Sequence, residues 1–501
     1  LTLDPAPPSS ADDDARARLL DALRAAVGEA HVIAGADGEG ADRDALRPYE
    51  RDWRGRYHGR ALAVVRPAST AEVAAVVRLC AAAPGVSVVA QGGNTGLVGG
   101  GVPDGSRTQV VLSLKRLRAV RRIDAVDQTA TVDAGVVLQE LQAAAGDAGL
   151  LFPLSLAAEG SCTIGGNLAT NAGGTQVLRF GNARELCLGL EVVTADGEVW
   201  DGLDGLRKDN TGYDLRDLFV GSEGTLGVIT AATLRLFPRP RAVVTGWARC
   251  ATLAHAVALM RRLRAAFDAE LVGFEAMNAF SVALARRHHP DLRLPLEESA
   301  EGWSALFELA SPHDEAPLRA ELESALAQAL DAGELADAVL AADGPQARAL
   351  WALREAIPLA QAAEGLNIKH DVGLPLSALA GFVDAADAAL EAIAPGARHV
   401  AFGHLGDGNL HYNLQAPAGA DAADFLARLE PAVNACVHDL ACRAGGTFSA
   451  EHGIGRLKRG ELGARKPAQA LALMRALKAA LDPQGMFNPG VMLPDRAPSE
   501  D

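Results

Sequence analysis

Short apolar runs alternate with amphipathic stretches along most of this chain, and the texture changes twice. Up to about residue 57 the pattern is polar and predicts one helix, over 15–27. From Ala61 it tightens. Residues 61–65 read as a buried strand, and residues 86–90 as another. Between them Ser69 and Glu72 have the spacing of a capping box, which predicts a helix over 71–82. The second change follows Phe237-Pro238-Arg239-Pro240. Beyond it the pattern predicts a strand over 242–248, a helix over 253–267, a strand over 302–309 and a helix over 316–332. Strands and helices of this length, punctuated by Gly-rich turns, describe an α+β protein.

The expected organisation is an N-terminal extension over 1–56, one α+β domain over 57–240, a second over 241–440, and a helical C-terminal segment over 441–501 that completes the active site. A length of 501 residues requires more than one core, and a hydrophobic content of 49% supplies the material for them. The net charge of -16 argues against nucleic acid as a partner, because phosphate binding needs a basic face. A small anion needs only a local cation and is still allowed. None of the cysteines forms a Cys-x-x-Cys pair, so a zinc ribbon or iron–sulfur cluster has no support. Scattered cysteines suggest a reducing compartment, and the expected location is cytoplasmic. The chain starts at Leu1 rather than Met, which leaves a removed leader open. No apolar run approaches the ~18 residues of a membrane span.

Three Gly-rich segments precede the boundary. The first, Gly92-Gly93-Asn94-Thr95-Gly96, follows a strand directly. Such a turn lets backbone N–H groups converge on a phosphate and lets the chain approach a cofactor closely. Its spacing is neither a Rossmann fingerprint nor a Walker A loop. The second runs from Ser161 to Gly174, and the third from Lys208 to Gly227. Together they predict a long ligand threaded along the domain.

The candidate chemistry lies later, in Gly403-His404-Leu405-Gly406-Asp407-Gly408-Asn409-Leu410-His411 and in Glu451-His452-Gly453. Two imidazoles and a carboxylate can hold a divalent metal while a further histidine acts as a base. By themselves these residues fit structural histidines as well as a metal centre.

The combination resembles the FAD-dependent D-2-hydroxyacid dehydrogenases (D-2-hydroxyglutarate and D-lactate dehydrogenase-like) of the vanillyl-alcohol oxidase / p-cresol methylhydroxylase flavoproteins. The likeness spans about 61–494. It implies a two-subdomain FAD-binding domain of the p-cresol methylhydroxylase type, a ferredoxin-like α+β substrate (cap) domain and C-terminal helices. It implies that Gly92, Gly93, Asn94, Thr95 and Gly96 cradle the FAD pyrophosphate. Ser161, Thr163, Gly165, Gly166, Asn167, Asn171 and Gly173 would line the flavin and ribityl region. Glu223, Gly227 and Ile229 would meet the adenine end, and Asn488 the isoalloxazine. With Asn94 and no histidine in the first loop, non-covalent FAD is expected, and Cys162 is read as a buried small hydrophobe.

The resemblance also implies that His404, His411 and Glu451 bind a divalent metal, usually zinc, with His452 as the base. Arg354, Lys369, Asn413 and His452 would contact the substrate, while His370 and Asp407 are read as supporting or turn residues. One departure stands out. Pro358 follows Arg354 by four residues, where 2-hydroxyglutarate enzymes carry a threonine, and this removes a hydroxyl contact. The implied reaction is oxidation of a D-2-hydroxy acid to the 2-oxo acid, with D-2-hydroxyglutarate first and D-malate or D-lactate as alternatives. Electrons would pass to an electron-transfer flavoprotein or a quinone. A glycolate-oxidase-like electron-relay subunit is the other implied reading, and a homodimer is an allowed assembly.

Overall fold

The computed structural model describes residues 10–34, 41–297 and 299–495. The first nine residues of the N-terminal extension therefore lie outside the described residues. The chain forms three main sheets. The first has the order Val32–Ala34, Ala63–Val65, Thr108–Ser113 and Val86–Gln91, with its last three strands parallel. The helix Thr70–Ala81 makes the crossover, and the Ser69 side chain accepts from Glu72 N as the sequence pattern predicts. The second sheet is antiparallel: Val120–Asp124, Thr129–Asp133, Val228–Arg235, Cys187–Val193 and Val199–Gly202. One continuous core joins the two, from Leu19 through Leu236 to Phe487.

The third sheet belongs to the second half of the chain. Its strand order is Asp337–Leu340, Ala242–Cys250, Trp303–Ser311, Leu271–Asn278, Arg398–His404, Asn409–Gln415 and Asn367–Ile368. Asp371–Gly373 also pairs with Asn409–Gln415. The amphipathic helix Leu253–Phe267 buries Leu259, Met260 and Leu263 against this sheet. It has the bounds that its apolar spacing predicts.

Two features differ from the sequence reading. The helix Ala422–Arg443 runs through residue 440, so a boundary there would fall inside a helix. After it, residues 447–458 are mostly turn and bend rather than helix, and helix resumes at Arg459–Arg465 and Ala468–Leu481. Gly445, Gly453 and Gly455, all at positive φ, account for the irregular backbone.

The C-terminus returns to the first sheet. Phe487 bridges Val88 in parallel, and Asn488 N donates to Val88 O at 2.8 Å. A buried Asp482 fixes this return. Its Oδ1 accepts from Met486 N at 3.0 Å, while its Oδ2 accepts from Phe487 N at 2.8 Å and Lys478 Nζ at 2.5 Å. Removing this carboxylate leaves the buried Met486 and Phe487 N–H groups unpaired, so Asp482→Ala is expected to cost about 3 kcal/mol. The loss should appear as a lower midpoint of chemical unfolding, and an unchanged midpoint would show that the return is held by packing alone.

Candidate active site

The cavity at the end of the first sheet has a volume of about 1080 Å³ and is open to solvent. Gly92, Gly93, Asn94, Thr95 and Gly96 line it, with Thr163, Gly165, Gly166, Asn167, Glu223, Gly227, Ile229 and His452. A Cβ on Gly93 would stand 2.2 Å from Ser161 O, so no side chain is admissible where the first loop packs on the second. Two buried polar atoms of residues in this wall, Thr163 Oγ1 and Gln91 Oε1, have no protein partner. A Gly-rich backbone cradle with unpaired polar atoms fits a cofactor rich in phosphate, hydroxyl and heterocyclic acceptors.

Four of the expected FAD contacts are not among the residues that line the cavity. Ser161 is exposed and Asn171 Oδ1 accepts from Arg184 N. Asn488 Nδ2 donates to Gly100 O and Glu223 O, both at 2.8 Å. Gly173 faces Glu451, since a Cβ there would stand 3.5 Å from Glu451 Oε2. Cys162 is buried in the cavity wall, and burial raises its thiol pKa, with Asn167 Nδ2 at 3.5 Å. The stretch 208–214 is fully exposed and contributes nothing to the cavity. Asp209 accepts from Thr211 N and Oγ1, a local turn that needs glycine and small polar residues for its own sake. Only the 221–227 half of the third segment lines the cavity.

Glu223 is engaged by backbone N–H groups. Its Oε1 and Oε2 accept from Ile454 N and Gly455 N, each at 2.7 Å. A Cβ on Gly453 would lie 2.8 Å from Glu223 Oε1. Glu223 therefore lines the cavity beside the loop that follows His452. It ties the 453–455 loop to the first half of the chain.

The second wall comes from the third sheet. Its register sets Glu275 opposite His404, Phe402 opposite His411, and His411 opposite Asp371. Gly408, at φ 83 with Leu374 O 2.2 Å from where a Cβ would be, permits the tight hairpin between the two histidine strands. His404 Nε2 stands 3.8 Å from Glu451 Oε2, and His411 Nε2 stands 3.4 Å from Glu451 Oε1. Metal–ligand bonds of about 2.0–2.1 Å in a tetrahedron place neighbouring donor atoms about 3.3 Å apart. The two histidine–glutamate distances are close to that spacing, although His404 lies outside the tighter group of Asp371, His411, Glu451 and His452, and the donor types suit a divalent cation.

Asp371, His411, Glu451 and His452 also have ligand atoms within 4.8 Å of one another. Asp371 is the poorer donor, because its lone pairs are in use. Its Oδ2 accepts from Ala450 N, Glu451 N and His452 N at 3.1, 3.0 and 2.8 Å, and its Oδ1 accepts from Asn409 Nδ2 at 2.8 Å. Burial opposes its charge, but His452, Lys458 and the backbone N–H groups hold its carboxyl far below the usual range.

Glu275, missed by the sequence reading, organises the histidine side. It is fully buried, accepts from His404 Nδ1 at 2.6 Å, and accepts from Arg354 Nε at 2.7 Å. With Nδ1–H facing this carboxylate, His404 presents Nε2 to Glu451. Burial would lower the His404 pKa, yet Glu275 and Glu451 hold it at about 9. Burial raises Glu451 to about 7. This group of acids and bases accommodates a cation well. A lone Glu within the apolar strand 271–277 was the available signal, since a buried carboxylate requires partners.

The substrate candidates separate. Arg354 is buried at the Glu275 end, with its guanidinium 4.8 Å over the Phe402 ring. Pro358 lies one turn along the helix Gly344–Glu364 and offers no hydroxyl. Asn413 is committed on both sides: Oδ1 accepts from His370 N and Nδ2 donates to Gln361 Oε1. His370 is buried between Tyr412 O and Asn434, a supporting place. Asp407 caps its own turn at Asn409 N. Lys369 is half-buried and has no acidic partner among the described residues.

With this geometry established, comparison with known proteins identifies the chain. Residues 239–492 match the C-terminal domain of FAD linked oxidases, and residues 61–202 match an FAD binding domain. The chain belongs to the FAD-linked oxidase family and is an FAD-dependent oxidoreductase. It is 42% identical over 460 residues to the mitochondrial D-2-hydroxyglutarate dehydrogenase of Bos taurus, covering 91% of this chain and 81% of that protein. It is 40% identical to the D-2-hydroxyglutarate dehydrogenase of Xanthomonas citri pv. viticola, covering 89% and 92%. The fold is similar to that of p-cresol methylhydroxylase with bound substrate, with a TM-score of 0.73, 16% identity and coverage of 95% and 96%. No helix among the described residues is long and apolar enough to cross a membrane. The mitochondrial relatives lend no support to a cytoplasmic location.

Asp371→Ala should release the 450–452 backbone while leaving the sheets intact. Amide hydrogen exchange at Ala450, Glu451 and His452 is expected to speed up at least tenfold, with a loss of about 3 kcal/mol in stability. Unchanged protection at these amides would contradict the positioning role.

Proposed function

We propose that this enzyme oxidises a D-2-hydroxy acid, D-2-hydroxyglutarate in the first instance, to the 2-oxo acid. The observation that carries the reading is the convergence of His404, His411 and Glu451 beside His452, which itself lines the cofactor cavity. When bound, FAD supplies the hydride acceptor and a divalent metal supplies the positive charge that acidifies the substrate hydroxyl. His404 Nε2, His411 Nε2 and the Glu451 carboxylate would hold the metal, zinc by donor type. The Gly92–Gly96 backbone and Thr163 would hold non-covalent FAD.

His452 takes the hydroxyl proton. Burial, reinforced by Lys458, Lys369 and Arg54 against the pull of Asp371, keeps its pKa down at about 4. It is thus a neutral acceptor at pH 7, and its backbone N–H is fixed by Asp371 at 2.8 Å. Arg354, oriented by Glu275, offers its remaining nitrogens to the substrate carboxylate nearest the metal. The electrons then leave to an external acceptor such as an electron-transfer flavoprotein or quinone.

Anaerobic addition of D-2-hydroxyglutarate is expected to bleach the bound flavin, while the L-enantiomer leaves it oxidised. Absence of bleaching by any D-2-hydroxy acid would overturn the reading. His452→Ala should retain FAD and slow bleaching by about 10²–10⁴-fold, the range for loss of a general base. Glu275→Gln should weaken zinc binding by about 10–100-fold, read by competition with a chelating dye. Zinc affinity equal to wild type would remove Glu275 from the site.

A further inference from the structure

The N-terminal extension contributes a residue to this site. Residues 51–58 form a tight hairpin closed by the Arg51–His58 bridge, with Asp52 Oδ1 accepting from Tyr57 N at 2.7 Å. The hairpin is fastened on both sides. Asn94 Nδ2, from the first Gly-rich loop, donates to Arg51 O at 2.9 Å. Arg56 pairs with Glu430 at 3.0 Å, on the helix Ala422–Arg443 that packs on the third sheet. Asp52, two residues before Arg54, lines the cofactor cavity. The hairpin therefore spans the two halves of the chain beside the cavity mouth.

Arg54 is half-buried in the middle of this hairpin and has no hydrogen bond or ion pair among the described residues; Asp52 and Glu430 favour its charge, but burial and Arg56 outweigh them. Lys369 is likewise half-buried and without a hydrogen bond or ion pair among the described residues. The register of Ile368 with Leu414 and Asp371 with His411 sets Lys369 opposite Asn413, on the face that carries His411. Arg54 and Lys369 each act on His452, and Arg54 acts on Lys369, so the three groups form one cluster. Burial together with Arg54 lowers the Lys369 pKa to about 8. Arg354 acts instead on His404, His411 and Glu451. The site thus has two cationic poles, with His452 beside the pole formed by Arg54 and Lys369. Two half-buried cations within electrostatic reach of each other, neither held in an ion pair, gain from an anion placed between them.

We propose that Arg54, with Lys369, binds the second carboxylate of a dicarboxylic 2-hydroxy acid, making the hairpin a determinant of substrate specificity. This rests on the function proposed above and deepens it. A carboxylate at the metal and Arg354 would leave the rest of the substrate pointing to the second pole. A monocarboxylate such as D-lactate has nothing to place there.

The test is steady-state turnover with a dye acceptor, using D-2-hydroxyglutarate and D-lactate, for wild type, Arg54→Ala and Arg54→Lys. A hydrogen bond to a charged group is worth about 1.5–3 kcal/mol. In Arg54→Ala the ratio of kcat/KM for the dicarboxylate to that for D-lactate is expected to fall about 10–100-fold, mainly through KM. Arg54→Lys should recover part of the ratio. Flavin absorbance reports that each variant is folded and loaded. An unchanged ratio, or an equal fall for both acids, would overturn the role of Arg54 alone. Wild-type protein whose flavin neither acid reduces would overturn the underlying reading as well.

Discussion

One carboxylate oxygen holds this site together. Asp371 Oδ2 receives three successive backbone N–H groups, from Ala450 to His452, on a loop with little regular structure of its own. Asp371 sits on a strand beside His411, so the contact fastens the C-terminal segment to the histidine hairpin. Without it, Glu451 and His452 keep only the backbone bridges of Thr447 and Ser449 to this strand and the grip of Glu223. Glu223 repeats the device from the opposite side, accepting from Ile454 and Gly455. The loop that carries the reactive groups is thus gripped by one acid from each half of the chain.

Such a site concentrates charge in a dry setting. Glu275 is fully buried and stays ionised, with a pKa of about 2, because Arg354 and His404 outweigh the penalty of burial. Glu451 has no comparable partner, and burial drives it up to about 7. A divalent cation between Glu451 and the two imidazoles, as proposed above, would supply the missing partner. The polar arrangement therefore has more to do with function than with stability, in keeping with the modest net value of buried ion pairs.

Local features were legible from the sequence. The helix Leu253–Phe267 follows from apolar spacing, the Ser69 cap from its own side chain, and the Gly92 turn from the absence of side chains. His404 and His411 were legible because a Gly-rich hairpin brings them onto neighbouring strands. Glu275 and Arg54 were not, because their roles depend on sheet register and on closure of a distant hairpin. The 208–214 stretch was misjudged because glycine and small polar residues serve a surface turn as well as a cofactor loop. The non-helical 447–458 segment is fixed by tertiary contacts that override its helical flanks.

The central claim is that metal, base and flavin meet at one place. It is tested most directly by stripping the purified protein with a chelator while FAD is retained, then titrating zinc back during anaerobic flavin reduction by D-2-hydroxyglutarate. The account predicts negligible reduction in the stripped protein and recovery that saturates at one zinc per chain, with no recovery when His404 and His411 are replaced by alanine. Rapid flavin reduction in the stripped protein, or recovery in the absence of both histidines, would contradict it.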